Sequence, residues 1–168
     1  MTIELNEMAA GHGGGVDESP RGWLPSGTVS LELAVTDAQI LATREVMLQL
    51  RPHVAPDQYL ARVRRLMETE RFHLLAAMED GVVRAVAGFR FMDMLYCGRI
   101  LYVDDLVTDQ AARSAGWGAR LMEWMRWRAE AEECAELHLD SRVTRARAHR
   151  FYFRQGMEIS AFHFALQL

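Results

Sequence analysis

Two stretches carry residues whose types and spacing could do chemistry, and the first is Leu101 to Leu121. A strand ending at Val107 gives way to a short polar loop, and Arg113-Ser114-Ala115-Gly116-Trp117-Gly118 then opens a helix. Glycines at such a junction let the backbone approach a ligand closely. The N–H groups of a helix's first turn, aided by the helix dipole, hold negative charge. An arginine just ahead of them adds a bidentate phosphate partner. Taken alone, the same residues also read as a glycine-rich turn that only eases packing. The spacing is R-x-x-G-x-G, which departs from the G-x-G-x-x-G dinucleotide fingerprint, and it lies late in the chain rather than in a first βα unit. A Walker A loop is excluded because all 19 basic residues are arginine. The absence of lysine also excludes a Schiff-base mechanism and acylation of the chain on its own lysines.

The second stretch is Ala148-His149-Arg150-Phe151-Tyr152-Phe153-Arg154-Gln155-Gly156-Met157, about 35 residues further on. Within the strand that precedes the loop stand two adjacent carboxylates, Asp104 and Asp105. Strand alternation sends them to opposite faces unless a bulge intervenes. Together they would favour a cationic acceptor. Six histidines (12, 53, 73, 138, 149, 163) show no metal-binding spacing, Cys97 and Cys134 form no CxxC pair, and no metal site is expected. Cys134 and His138 bracket a short strand and read as structural. Arg142, Arg145, Arg147, Arg150 and Arg154 read first as a solvated helix face. One or two of them meeting a cofactor phosphate is the sharper reading, and an RNA surface a distant third.

These residues need a frame, and 168 residues are enough for one domain with its own core. The chain is 50% hydrophobic and 25% charged with a net charge of −4, which gives no support to bulk attraction to nucleic acid or anionic membrane. Residues 1 to 27, with Gly11 to Gly15, Pro20 and Pro25, read as a flexible tail that is not a signal peptide. With two cysteines expected as free thiols and no apolar window of membrane-spanning length, the chain is expected in the cytoplasm.

From Thr28 the pattern gives a strand to Val35, a helix capped by Thr36 or Asp37 and ended by Pro52, and a second helix after Pro56. Arg62, Arg64 and Arg65 lie opposite the apolar stripe of that helix, as a solvated face or flanking an acidic substrate. A hairpin follows, with strands Phe72–Met78 and Val82–Phe91 about the turn Glu79-Asp80-Gly81. Ile100–Val107 reads as a central strand, Ser114–Glu133 as a helix, Leu137–Leu139 as a short strand and Thr144–Gln155 as a helix closed by Gly156. Met157–Leu168 alternates and reads as the last strand. The order β-α-α-β-β-β-α-β-α-β is an α/β arrangement, a mixed sheet with helices on its faces.

From Val29 to Leu168 the chain resembles the GNAT superfamily of N-acetyltransferases, on two motifs. Arg113 to Gly118 is similar to [RQ]-x-x-G-x-[GA] at a helix start, and Ala148 to Met157 to the later A-x-x-[LF]-Y-x-x-x-G-[FM] segment. The resemblance implies a single domain over 28–168 with a mixed sheet of six to seven strands and about four helices. It implies acetyl transfer from acetyl-CoA to a primary amine by direct attack in a ternary complex. Cys97 and Cys134 lie outside both motifs, which disfavours a covalent acyl-enzyme.

By the same resemblance, the main chain of Arg113, Ser114, Ala115, Gly116, Trp117, Gly118 and Ala119 would hold the cofactor pyrophosphate, with Trp117 covering the loop or packing behind it. Leu106, Val107 and Thr108 would bond the pantetheine arm and acetyl group, and Leu106 or Val107 would supply the oxyanion donor. Ala148 and Arg145 would face the cofactor, Arg145 standing where the superfamily often has asparagine. Tyr152 would be the general acid and Asp104 the first choice for the base, acting directly or through water. The acceptor would be a small-molecule or peptide amine, with no nucleic acid or membrane partner; a homodimer would be in keeping with the superfamily. A non-catalytic acyl-CoA sensor is the alternative, and a domain binding ATP or NAD phosphates a third reading.

Overall fold

The computed structural model describes residues 27–168, so apart from Gly27 the expected tail lies outside the described residues. The elements are β1 (Val29–Leu33), α1 (Asp37–Leu50), α2 (Tyr59–Glu70), β2 (His73–Glu79), β3 (Val82–Met94), β4 (Gly98–Thr108), α3 (Trp117–Ala131), β5 (Glu136–Leu139) and α4 (Ala146–Arg154). Local chemistry accounts for their ends. Thr36 caps α1 through a reciprocal pair: its hydroxyl accepts from the Gln39 amide at 3.3 Å, while the Gln39 side chain accepts from the Thr36 amide at 3.0 Å. Arg71 leaves α2 at φ 52. The β2–β3 turn places Asp80 and Gly81 at φ 50 and 76, the left-handed pair that suits a two-residue hairpin.

The five strands form one sheet in the order β1-β2-β3-β4-β5. β1 to β4 are antiparallel neighbours, and β5 returns through α3 to lie parallel to β4. Both faces are covered. Phe89, Leu101 and Val103 pack with Trp117, Leu121, Trp124 and Met125 of α3. Leu74 and Val86 pack on the other side with Ile40, Val46, Tyr59 and Val63 of α1 and α2. Within that second layer the buried Thr43 hydroxyl lies 2.8 Å from the Tyr59 hydroxyl and donates to the Ile40 carbonyl at 2.7 Å. Tyr59→Phe is therefore expected to cost about 1 kcal/mol, because Thr43 keeps its carbonyl partner while one buried bond is lost. Urea unfolding of the two proteins checks this.

Three expectations are corrected. The sheet has five strands rather than six to seven, because Met157–Leu168 forms no strand. Its alternating Phe162, Phe164, Leu166 and Leu168 are exposed, and the segment touches the sheet end through His163 on Asp140 at 2.9 Å. Alternation marks side chains that could share a face, but a strand also needs a neighbouring edge in register. The third helix begins at Trp117 rather than Ser114, since Ser114 and Gly116 both adopt positive φ, 68 and 79. The last helix spans Ala146–Arg154, inside the expected Thr144–Gln155.

Candidate active site

β5 pairs with β4 only from Ile100 to Val103, whereas β4 continues to Thr108 against β3. Past Val103 the two parallel strands part. Every second residue of 105–108 turns its N–H and C=O away from β3, toward the side that β5 no longer covers. That open edge leads through Asp109 and a short 3₁₀ turn, Gln110–Ala112, to the start of α3. There Gly116, at φ 79, is the cap residue, and having no side chain it leaves the approach to the first turn open. The start of α3 thus lies next to a strand edge that β5 does not cover.

Small residues make the junction tight. A Cβ on Gly118 would stand 3.3 Å from the Phe151 ring and 3.7 Å from the Thr108 hydroxyl, so the start of α3, the end of β4 and α4 meet there. Trp117 points into the core beneath the loop and is 2% exposed, so it packs behind the loop and does not cover it. Arg113 and Ser114 are exposed, Ala115 and Ala119 half-buried. Arg147 reaches the Ser114 hydroxyl at 3.4 Å, which brings α4 and one member of the arginine run to the loop ahead of α3.

Tyr152 lies on α4 with its ring edge-on to Phe151 at 5.5 Å. Burial pushes its phenol above the ordinary tyrosine range, against a smaller opposing effect of the Arg145 guanidinium. The hydroxyl therefore keeps its proton throughout the neutral range. Arg145 precedes α4 and is exposed, and Ala148 is half-buried one turn before Tyr152.

The two aspartates do not follow simple alternation. Gly88 pairs with Asp105 and Phe89 with Val103, so Asp104 is the extra residue of a bulge. The partners of both carboxylates come from the side of α1 and α2. Asp105 accepts from Arg51 Nε at 2.6 Å, just past the end of α1. Asp104 accepts from Arg90 Nε at 2.9 Å and Nη2 at 2.7 Å, and Arg90 also faces Glu70, the last residue of α2, at 3.7 Å. Burial pushes the Asp105 carboxyl above the ordinary value, Arg51 working against it. Gly88 makes room here, since a Cβ would meet the Phe72 ring at 2.3 Å and Asp105 at 3.1 Å.

Arg51, Arg90 and Tyr102 were not singled out as site residues by sequence. Arg51 also donates to the Asp104 carbonyl at 2.9 Å, and Tyr102 donates to Asp140 at 2.5 Å beneath the Arg90 guanidinium. The adjacent acidic pair was the available signal, because two half-buried carboxylates call for cationic partners. Arg64 instead ties α2 to Asp37 at the start of α1, while Arg62 and Arg65 line a shallow exposed pocket on α2.

A profile of the acetyltransferase (GNAT) family matches residues 40–157. An uncharacterized N-acetyltransferase of Bacillus subtilis, YhdJ, is 30% identical over 120 residues, covering 71% of this chain and 84% of that protein. Among solved structures, aminoglycoside N-acetyltransferase AAC(6')-Iy in complex with CoA superposes with a TM-score of 0.75 at 16% identity, covering 89% of this chain and 97% of that one. The same enzyme with a bisubstrate analogue, CoA-S-monomethyl-acetylneamine, gives 0.73 at 14% identity, covering 83% and 96%. A transcriptional regulator from Bacillus halodurans gives 0.74 at 20% identity, covering 83% and 99%. At these identities the solved structures share the fold with this chain.

Proposed function

The chain belongs to the acetyltransferase (GNAT) family and is an acyltransferase, and from that premise we propose that it moves an acetyl group from acetyl-CoA to a primary amine by direct attack in a ternary complex. The observation that carries the cofactor assignment is the β4 edge that β5 leaves after Val103, running from Asp105 to Thr108 and on to the glycine-capped start of α3. An extended chain bearing amides can pair with such an edge, and a pyrophosphate suits the amides of 113–119. Acetyl-CoA supplies the activated acyl group.

The chain's own residues then have distinct tasks. Leu106, Val107 and Thr108 align the acyl arm, and an N–H of Leu106 or Val107 stabilises charge developing on the thioester oxygen, worth about 3 kcal/mol of barrier. Asp104, positioned by its two bonds from Arg90, draws the ammonium form of the acceptor and takes its proton directly or through one water. The amine lone pair bonds to the acyl carbon as the C–S bond breaks. Tyr152 gives its phenolic proton to the leaving sulfur and recovers one from solvent. Arg145, Arg147 and Ala148 line the cofactor side of α4.

The acceptor is a small-molecule or peptide amine, and two acidic residues on one face of the sheet support a cationic one. Both cysteines are free thiols, which supports a reducing, cytoplasmic setting. No helix of the described residues is long and apolar enough to cross a membrane.

Calorimetric titration with acetyl-CoA and CoA, with ATP and NAD as controls, tests the cofactor assignment. Binding is expected for the two CoA species alone. Binding to ATP or NAD with none to CoA would overturn it, and CoA binding without turnover across an amine screen would leave a sensor.

A further inference from the structure

We propose that Cys97, Glu136 and His138 form a binding site for Zn²⁺ or a similarly borderline-soft divalent ion, where the β3–β4 turn meets the outer edge of β5, with a fourth coordination position open to water. The thiol sulfur, a carboxylate oxygen and a ring nitrogen all lie within 4.8 Å of one another, the one such group among the described residues. Tetrahedral zinc with these ligands needs donor separations of about 3.5 Å, given bonds of roughly 2.0–2.3 Å. Rotation of side chains at an exposed turn and strand edge covers that difference.

The juxtaposition follows from topology. Glu136 and His138 are two apart on β5 and share one face, opposite to that of Leu137 and Leu139, which pack toward α3. The ladder sets Glu136 beside Ile100 and His138 beside Tyr102. The turn before Gly98, itself at φ 80, folds Cys97 back over the same edge. Nε2 of His138 contacts the Glu136 carboxylate, and a plain surface ion pair would account for that contact. It does not account for a thiol arriving from another element. Sulfur, imidazole and carboxylate together form a ligand set that suits zinc better than magnesium or calcium. On binding, the thiol proton passes to solvent and the sulfur bonds the ion as thiolate.

The consequence is structural. β5 is a four-residue edge strand held by four ladder positions, so an ion bridging it to the β3–β4 turn would fasten the start of that ladder, at the end opposite to the one where β4 and β5 part. The site lies outside the acyl-transfer machinery and does not depend on that assignment.

Cobalt(II) titration of the full chain without an affinity tag tests the proposal. The expected result is a thiolate-to-cobalt charge-transfer band with the intense visible bands of a four-coordinate ion, saturating at a single equivalent and displaced by zinc. Cys97→Ser should abolish the charge-transfer band, and His138→Ala should weaken binding by about 10-fold or more. Cys134→Ser, which alters the other thiol, should leave the spectrum unchanged. Absence of the band in the wild-type protein would overturn the proposal, as would a band that survives Cys97→Ser or disappears with Cys134→Ser.

Discussion

Tyr152→Phe is expected to lower kcat about 100-fold while leaving KM for acetyl-CoA near the wild-type value. The size follows from the leaving group. A thiol of pKa about 8.5 departs as a moderately unstable anion at neutral pH, so donation helps without being indispensable. The selectivity follows from position: phenylalanine keeps the ring against Phe151, 5.5 Å away, and loses only the hydroxyl. Burial holds the wild-type phenol above its ordinary range, so an alkaline fall in kcat due to Tyr152 lies above about pH 10. A donor thioester with a more acidic thiol should recover much of the lost rate in the variant. Steady-state kinetics with a series of thioesters reads this directly. An unchanged kcat, or a loss insensitive to the leaving group, would remove Tyr152 from the chemistry and leave it a packing residue.

How far such roles were legible in sequence depended on whether the information was local. Thr36 and Gln39 lie three apart and cap α1 as their spacing dictates, and Asp80-Gly81 turns the hairpin because both residues tolerate positive φ. The strand-to-helix junction at Arg113–Gly118 was readable to within a few residues, since a strand end, glycines and an apolar helix stripe are adjacent in sequence, but the helix start at Trp117 depends on the positive φ of Ser114 and Gly116. What sequence lacked were the long-range partners. The bulge at Asp104 exists because β3 and β4 shift register at Gly88 and Phe89, and nothing near Asp104 announces it. The arginines that hold the two carboxylates come from 14 and 54 residues away. Cys97 and His138 showed no metal spacing because the turn and the edge strand that join them belong to different parts of the chain. Met157–Leu168 failed for the converse reason: its pattern is local and regular, yet its apolar side chains find no edge to pair with.

The bulge also determines which substitution should hurt most. Asp104→Asn is expected to lower kcat/KM by roughly 10²- to 10⁴-fold, because it removes both the proton acceptor and the charge that draws an ammonium group. The amide is nearly isosteric and still accepts from Arg90, so the fold should persist. Arg90, whose own proton is held more tightly through its bonds to Asp104, is then left with a neutral partner. Asp105→Asn is the necessary comparison, because that carboxylate is more buried and its partner is Arg51. Its raised pKa sets the sign of the pH effect. The folded state keeps the Asp105 proton to a higher pH than the unfolded chain does, so ionisation opposes folding. Stability attributable to Asp105 is therefore highest below the ordinary carboxylate pKa, falls as pH rises to the raised value, and is constant above it. Urea unfolding of wild type and Asp105→Asn across that window should show the wild type losing ground as pH rises. In the activity assay Asp105→Asn should lose less than Asp104→Asn. The reverse order would move the base from the bulge residue to its neighbour, and equal losses would mean that the pair acts only as a joint charge on the acceptor.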